Sequence, residues 1–582
     1  MDTIRESPFG QLLRLLTNNR VLLYPEERDS DPWYSYIITD GSPSTPAVFE
    51  GKYSAPTDLA QAPAADTAPD IAHGELDEIS PEATDVSRHP FSGMESRNLL
   101  TTRRISPEHG ERAVNGRIDL EKDIIFIGWA EGDPANPLNW STAKKWTDTA
   151  LICLLTIAIS IGGAIYSPGI PDIMVVFGVS QVATTVGLTL FVFAYGAGAM
   201  LWGPMSEIPQ LGLNLIYIPT LTIFVVLQVP TALSVNFGML LAFRFLTGFF
   251  ASPVLANGGA SISHMFSARK RAQPLIVWAG TGPCGPVLGP IIGGFAAQAK
   301  GWTWTIWELA WLSGFTLVII FFFLPETSHA NILYRRTRRL RRLTGLPNLR
   351  RQTEFLTEQH NHLLYDIVIS TARGFALNFQ EPIVLVLNLY MCLVYGLLYA
   401  WFESFSVVFG QIYCFSLPIE GLSFIGILVG SLMAIPPYCA YVHYVLGPKF
   451  NEKGEIKPEE RMPFAFIGAF LIPVALVIFG WTGRASVPWI ASIIGSALFS
   501  MGALYLFVAV LNYLSDAYPT YAASVLAGNA FMRSSFGAVF PLFATQITLL
   551  ALLAVIFIPI PFVVYKFGER IRLASPRARH DL

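Results

Sequence analysis

Charge is scarce in this chain. Aspartate, glutamate, lysine and arginine make up 14% of its 582 residues, where a soluble domain carries about 25%. That is too little polar material to coat a water-facing surface. Cysteine is scarce as well. Cys153, Cys284, Cys392, Cys414 and Cys439 lie in or beside apolar runs, and no close pair has metal-ligand spacing, so they read as small buried hydrophobes. The histidines show no metal spacing either. No glycine loop is followed by Lys and Ser/Thr, which argues against drive by ATP. No clustered catalytic set and no basic face for nucleic acid are present. The expectation is a protein that is not an enzyme and uses no cofactor and no metal. The amino terminus lacks the continuous apolar core of a cleaved signal peptide, so targeting falls to the first membrane span.

What the chain has instead is apolar runs. Hydrophobic residues make up 52%, gathered into twelve segments at roughly 147–168, 184–205, 214–235, 237–262, 274–298, 303–324, 382–407, 421–446, 463–482, 487–512, 522–542 and 548–567. Each is close to the ~20 residues a helix needs to cross hydrocarbon at about 1.5 Å per residue. The expected fold is an all-α membrane protein of twelve transmembrane helices in two pseudo-symmetric six-helix bundles. The bundles would span 146–324 and 382–567, joined by a central loop at 325–381. A tail at 1–145 precedes them and a short tail at 568–582 follows. Within the first tail, Gly41 to His109 is rich in Pro, Ser, Ala, Asp and Glu and reads as disordered. Before it, Phe9, Leu12, Leu13 and Leu16 share one face of a short helix, which suits either the membrane surface or a loosely ordered tail helix.

Lysine and arginine set the orientation. With both termini cytosolic, the inner side receives Arg269, Lys270 and Arg271, the run Arg335, Arg336, Arg338, Arg339, Arg341 and Arg342, then Lys449, Lys453, Lys457, Arg461, Lys566, Arg570 and Arg572. The outer loops receive Lys300 and Arg484. The arginine run also suits anionic lipid headgroups.

The most specific string lies in the fifth segment: Gly282, Pro283, Cys284, Gly285, Pro286, Val287, Leu288, Gly289, Pro290, Ile291, Ile292, Gly293, Gly294. Gly285, Gly289 and Gly293 recur every four residues and make one smooth stripe on which a neighbouring helix can pack closely. Pro283, Pro286 and Pro290 remove backbone donors and bend the helix.

On this string the chain resembles the major facilitator superfamily, in particular its fungal twelve-helix drug:proton antiporters. The resemblance implies that the fifth-segment motif is a bent, leak-tight hinge between the halves. It extends to Asp133-Pro134-Ala135-Asn136-Pro137-Leu138-Asn139-Trp140 before the first segment and to the loop motif Gly203, Glu207, Gly212. It also takes in Arg244-Phe245-Leu246-Thr247-Gly248 in the fourth segment and Leu324-Pro325-Glu326-Thr327 after the sixth. Three departures from the family pattern stand out. Leu213 stands where an arginine of a charge latch is usual, and His264 where an aspartate is usual. Phe543-Ala544-Thr545-Gln546 runs almost directly into the last segment.

Charges inside apolar segments cost about 2.5–3.5 kcal/mol at the bilayer centre and therefore face a cavity or a partner. Arg244, Glu308 and Glu403 fall in the outer half and are the candidates for proton coupling, with the arginine tuning a carboxylate; the two glutamates equally suit interfacial positions reaching water. Arg533 sits near mid-membrane. It joins Asn257, Trp278, Tyr399, Asn512 and Asn529 as candidates for the substrate cavity; interhelical hydrogen bonding suits the asparagines equally well. The expected function is proton-coupled antiport, exporting drugs, fungicides or toxic metabolites by alternating access. The expected setting is the plasma membrane, with lipid, protons and a small-molecule substrate as partners and a monomeric chain. The alternatives are a facilitator or proton symporter on the same fold, or a transport-deficient paralogue or sensor, left open by the three departures.

Overall fold

The computed structural model describes residues 2–28, 36, 125–130, 132–267, 269–351, 363–451, 456–518, 522–540, 555–573, 575, 577 and 578. The stretch from Gly41 to His109 and the short connection at 543–549 lie outside the described residues.

Ten helical segments among the described residues are long and apolar enough to cross a membrane. They are Thr142–Phe177, Gln181–Glu207, Asn214–Ala232, Phe237–Met265, Ala272–Lys300, Trp302–Phe323, Pro382–Ile412, Leu417–Lys449, Pro463–Thr482 and Trp489–Ala517, the first to tenth spans below. Of the twelve expected from sequence, the last two do not meet that measure within the described residues. The eleventh helix, Ala522–Val539, forms, but Asn529, Arg533 and its serines dilute its apolar character. Of the twelfth, the described residues hold the helix Pro559–Leu573. One small departure from an all-helical chain is a two-residue parallel pairing of Ile125 with Leu349 and Phe126 with Arg350.

Local chemistry sets the breaks. Ser180 and Asn236 cap the second and fourth spans by accepting from the Ala183 and Met239 amides, which meets donors that hydrocarbon could not satisfy. Pro253 restarts the fourth span after Ser252. The fifth is interrupted at Gly282 and Pro283 before resuming at Cys284. Gly301, at φ +84°, makes the tight turn into the sixth.

Burial separates two bundles and a seam. One core gathers Ile152, Ile159, Phe191, Leu221, Leu240 and Ile306 of the first six spans. A second gathers Leu387, Leu397, Phe405, Ile472, Phe479 and Phe499 of the later ones. A third joins Ala272, Ile276 and Ala279 of the fifth span to Ala434, Tyr438, Leu504 and Tyr505 of the eighth and tenth. The outer surface is greasy: Trp311, Phe315, Val318, Phe470, Val477 and Ile494 are exposed, a belt suited to lipid and an aggregation hazard in water.

The amino-terminal tail is docked on the first bundle. Helix Pro8–Leu16 places Phe9 against Phe321 and Phe322 of the sixth span, at 6.1 and 4.8 Å between ring centroids, while Leu12 and Leu16 of its apolar face stay exposed. The arginine run lies on the linker helix His329–Thr344 and binds acids of the tail. Arg336 pairs with Asp133 at 2.5 Å and Arg339 with Glu26 at 2.7 Å. Tyr24 stacks under Arg339, 3.5 Å from its centroid. Burial alone would push the Glu26 carboxyl up, but the adjoining Arg339 guanidinium outweighs this and holds it below the usual carboxylate value.

Candidate functional site

Two cavities are stacked along the seam. The larger, a vestibule of about 610 Å³, is walled by the first, second, fifth, seventh and eighth spans, including Thr185, Pro290, Phe402, Glu403 and Glu420. The smaller, of about 130 Å³, lies deeper and is lined by Phe191, Tyr195, Trp278, Tyr395, Phe507 and Arg533, among others. Tyr399 belongs to the walls of both. Its ring, 5.2 Å from Tyr395 and 5.6 Å from Phe402, stands between them.

The fifth span builds one side of both cavities. Gly282, Pro283 and Pro286 line the inner one and Pro290 the vestibule. The glycine stripe explains how it gets so close. A Cβ on Gly285 would lie 2.5 Å from the Ser160 carbonyl carbon, on Gly289 2.7 Å from the Ile165 nitrogen, and on Gly293 2.7 Å from the Ile165 oxygen. The stripe therefore beds on the first span. Gly294 turns to the other bundle, where a Cβ would lie 2.9 Å from the Leu417 oxygen. Gly421 of the eighth span returns the contact, 2.6 Å from the Pro290 oxygen by the same measure. One bent helix thus grips its own bundle with one face and the opposite bundle with another. Lipid gives helices no hydrophobic reason to associate, so such close backbone contact supplies the attraction.

The three residues proposed for proton coupling do not converge. Arg244 is fully buried and donates to carbonyls: Gly162 at 2.9 Å, Gly187 at 3.2 Å and Gly163 at 3.5 Å. Its guanidinium carbon lies 4.7 Å from the Tyr166 ring centre and 4.5 Å from that of Phe191. It contacts no carboxylate among the described residues. Glu308 is half-buried on the sixth span. Glu403 faces the vestibule together with Glu420, whose carboxylate accepts from Ser406 at 2.6 Å. Sequence reasoning missed Glu420 because it stands at the start of its span, just outside the apolar run.

Of the six cavity candidates, Trp278, Tyr399 and Arg533 line the inner cavity. Trp278 is fixed by its indole N–H donating to Thr156 at 2.9 Å. The asparagines lie elsewhere. Asn529 donates to Asn388 at 2.7 Å, and Asn388 to Asn378 at 2.5 Å, a chain of amides between helices. Asn512 donates back to the Val508 carbonyl at 2.8 Å. Asn257 accepts from Ser206 at 3.0 Å.

At the end of the seam away from the vestibule, Asp516 of the tenth span bridges Arg271, from the turn before the fifth span, and Arg461, the latter at 3.0 Å. The loop motif sits nearby. Gly203 lets the second span approach Ala256 and Ala527 of the eleventh helix, and Glu207 ends that span. Gly212 turns the chain at φ +69°. The absent arginine leaves Leu213 buried in the core, and the loop is latched differently. Glu326 accepts from the amides of Leu213 at 3.2 Å, Asn214 at 3.1 Å and Ser328 at 2.9 Å, an anion at a helix N-terminus. His264 meets His329 of the linker helix, with ring centroids 5.3 Å apart.

Residues 152–541 match the Major Facilitator Superfamily. The chain belongs to that superfamily. It is an integral membrane transporter, not an enzyme. Among its relatives, "Transporter mfs1" of Schizosaccharomyces pombe is 42% identical, over 78% of this chain and 89% of the relative. The cycloheximide resistance protein of Candida maltosa is 34% identical over 81% and 88%. Fluconazole resistance protein 1 of Saccharomyces cerevisiae is 34% identical over 78% and 86%. The fold is shared with the xylose transporter XylE from E. coli, at a TM-score of 0.50 and 15% identity over 73% of this chain and 98% of XylE. For a major facilitator transporter, cavities on the seam of two bundles are the expected place for a solute.

Proposed function

We propose that this transporter exports small organic molecules across the plasma membrane in exchange for protons, working as a monomer with both termini in the cytosol. The observation that carries the reading is the pair of stacked cavities: a vestibule with two carboxylates, a deeper chamber with none among its described wall residues, and one tyrosine between. Fungal relatives named for drug resistance support the substrate class. The bent fifth span, bedded on the first and touching the eighth, supports rocking of the bundles about a sealed hinge.

The chemistry follows from charge. Glu403 and Glu420 stand side by side on the seventh and eighth spans, Glu420 accepting from Ser406 three residues along from Glu403, and they repel while both are ionised. A proton taken from outside removes that repulsion and lowers the cost of burying the pair when the first bundle closes over it. Closure there is coupled to opening at the other end, where the Arg271–Asp516–Arg461 cluster must part. Release of the proton inside and capture of solute then reset the cycle.

The test is transport by the purified full chain in proteoliposomes under an imposed pH gradient, with fluconazole and cycloheximide as first probes. Glu403→Gln and Glu420→Gln should cut gradient-driven flux at least tenfold while leaving solute binding within about threefold. Flux that ignores the gradient in the unaltered protein would overturn proton exchange.

A further inference from the structure

The inner cavity carries a charge that none of its described wall residues balances. Arg533 is almost wholly buried. Its Nε has no hydrogen-bond partner. Its guanidinium contacts ring faces, 4.6 Å from the centre of Phe507 and 5.2 Å from that of Tyr395. No acidic side chain lines the cavity among the described residues. The second buried cation of the region, Arg244, binds the carbonyl of Gly163, a wall residue, and among the described residues it too has only carbonyls and rings around it.

A buried guanidinium left without an anion is costly, and ring faces offset only part of that cost. An arginine held this way is a preformed fork for a carboxylate or another planar anion, which it binds through two parallel hydrogen bonds. The rest of the wall fits an aromatic body: Phe191, Tyr195, Trp278 and Tyr395 line the cavity together with Arg533, and the volume of about 130 Å³ is close to that of an engineered cavity of ~150 Å³ that accepts benzene.

Resting on the export reading above, we infer that the inner cavity selects aromatic acids: one ring among Phe191, Tyr195 and Trp278, with its anionic oxygens on Arg533. A larger acid would extend past Tyr399 into the vestibule. Cations are disfavoured at this depth by both arginines. There is an energetic corollary. Moving a monovalent anion out while one proton moves in transfers two charges in the direction an inside-negative potential favours, whereas exporting a monovalent cation for one proton transfers none.

The experiment compares three probes of one shape, benzoate, benzamide and benzylammonium, for binding to the full-length protein in lipid nanodiscs at pH 7, read by quenching of tryptophan fluorescence and by calorimetry. Benzoate should bind at least tenfold tighter than benzamide, and benzylammonium weakest. Arg533→Gln should bring benzoate and benzamide within threefold of each other, while Arg533→Lys keeps a preference for the acid. Equal or tighter binding of benzamide or benzylammonium in the unaltered protein overturns the inference without requiring any variant to fold. So does binding of none of the three, or a tenfold preference that survives Arg533→Gln. Gradient-driven efflux of neutral drugs alongside such a result would leave the export reading standing and remove only the charge selection. Tight benzoate binding without any flux would do the reverse.

Discussion

Replacing Asp133 with Asn should undock the stretch that ties the tail to the linker helix. Asp133 and Arg336 are both almost inaccessible, and the guanidinium meets the carboxylate at 2.5 and 3.3 Å. Its other contacts are the rings of Tyr36, 4.2 Å away, and Trp129, 5.1 Å away, and its Nε has no partner. Removing one partner of a buried pair costs about 3–5 kcal/mol, because the remaining charge stays buried uncompensated. The ring contacts are present before and after the change, so they do not rescue it. At about 1.4 kcal/mol per factor of ten, the open fraction of the segment should rise at least ~100-fold. The amides that report this are those of Ile125 and Ile127, which donate to Asn348 at 3.1 Å and Arg350 at 2.8 Å. Their hydrogen exchange, measured by mass spectrometry in nanodiscs, should accelerate to match. A double change, Asp133→Leu with Arg336→Met, should restore most protection, since an apolar pair carries no buried charge. Acceleration below threefold in Asp133→Asn would refute the reasoning and place the hold of the tail elsewhere.

Three other outcomes are expected. Gly289→Leu forces a side chain onto the backbone at Ile165 and Ala164; overpacking of about 1–3 kcal/mol should lower the melting temperature in detergent and cut the transport rate at least tenfold, and wild-type flux would refute the hinge packing. Gly212→Ala places a Cβ at φ +69° and 2.6 Å from Asn331 Cγ; the left-handed backbone alone costs about 1–2 kcal/mol, so thermal unfolding should shift downward. The tail should also loosen in acid. Glu26 titrates below its ordinary value of 4.5 when docked, so its pairing is fully present above that value and is lost as pH falls through the depressed one. Limited proteolysis of the tail should therefore speed up below about pH 4.5, and Glu26→Gln should show much of that speed already at pH 6.

Hydropathy made most of the fold legible because crossing hydrocarbon demands long, uniform apolar helices, and ten spans fall where the apolar runs lie. The eleventh helix was expected as an apolar segment at 522–542, yet its residues are mixed, since it packs on the second span and walls a cavity. The fifth-span glycines were legible in spacing, and the structure adds which partner each one meets. Side-chain partners were not legible. An asparagine in hydrocarbon needs a partner, but nothing in the string of letters says that Asn529 finds Asn388 and Asn378 instead of a solute. Arg244 stood out as a buried cation, while its carbonyl acceptors carry no signature of their own. The acids of the tail find arginines 203 and 313 positions away, a distance over which no local pattern operates. Charge density suggested lipid or topology for the arginine run, and it gave no sign that three of its members pair with Glu6, Glu26 and Asp133.

The docked amino-terminal helices have a practical corollary. Fastened at Phe9 to the sixth span and through Glu26 to the linker helix, they form a lever arm fixed to the first bundle. A dye placed on exposed Leu16, paired with one on the loop between the ninth and tenth spans, would report the swing of one bundle against the other in single molecules, without touching a residue that lines the path of the solute.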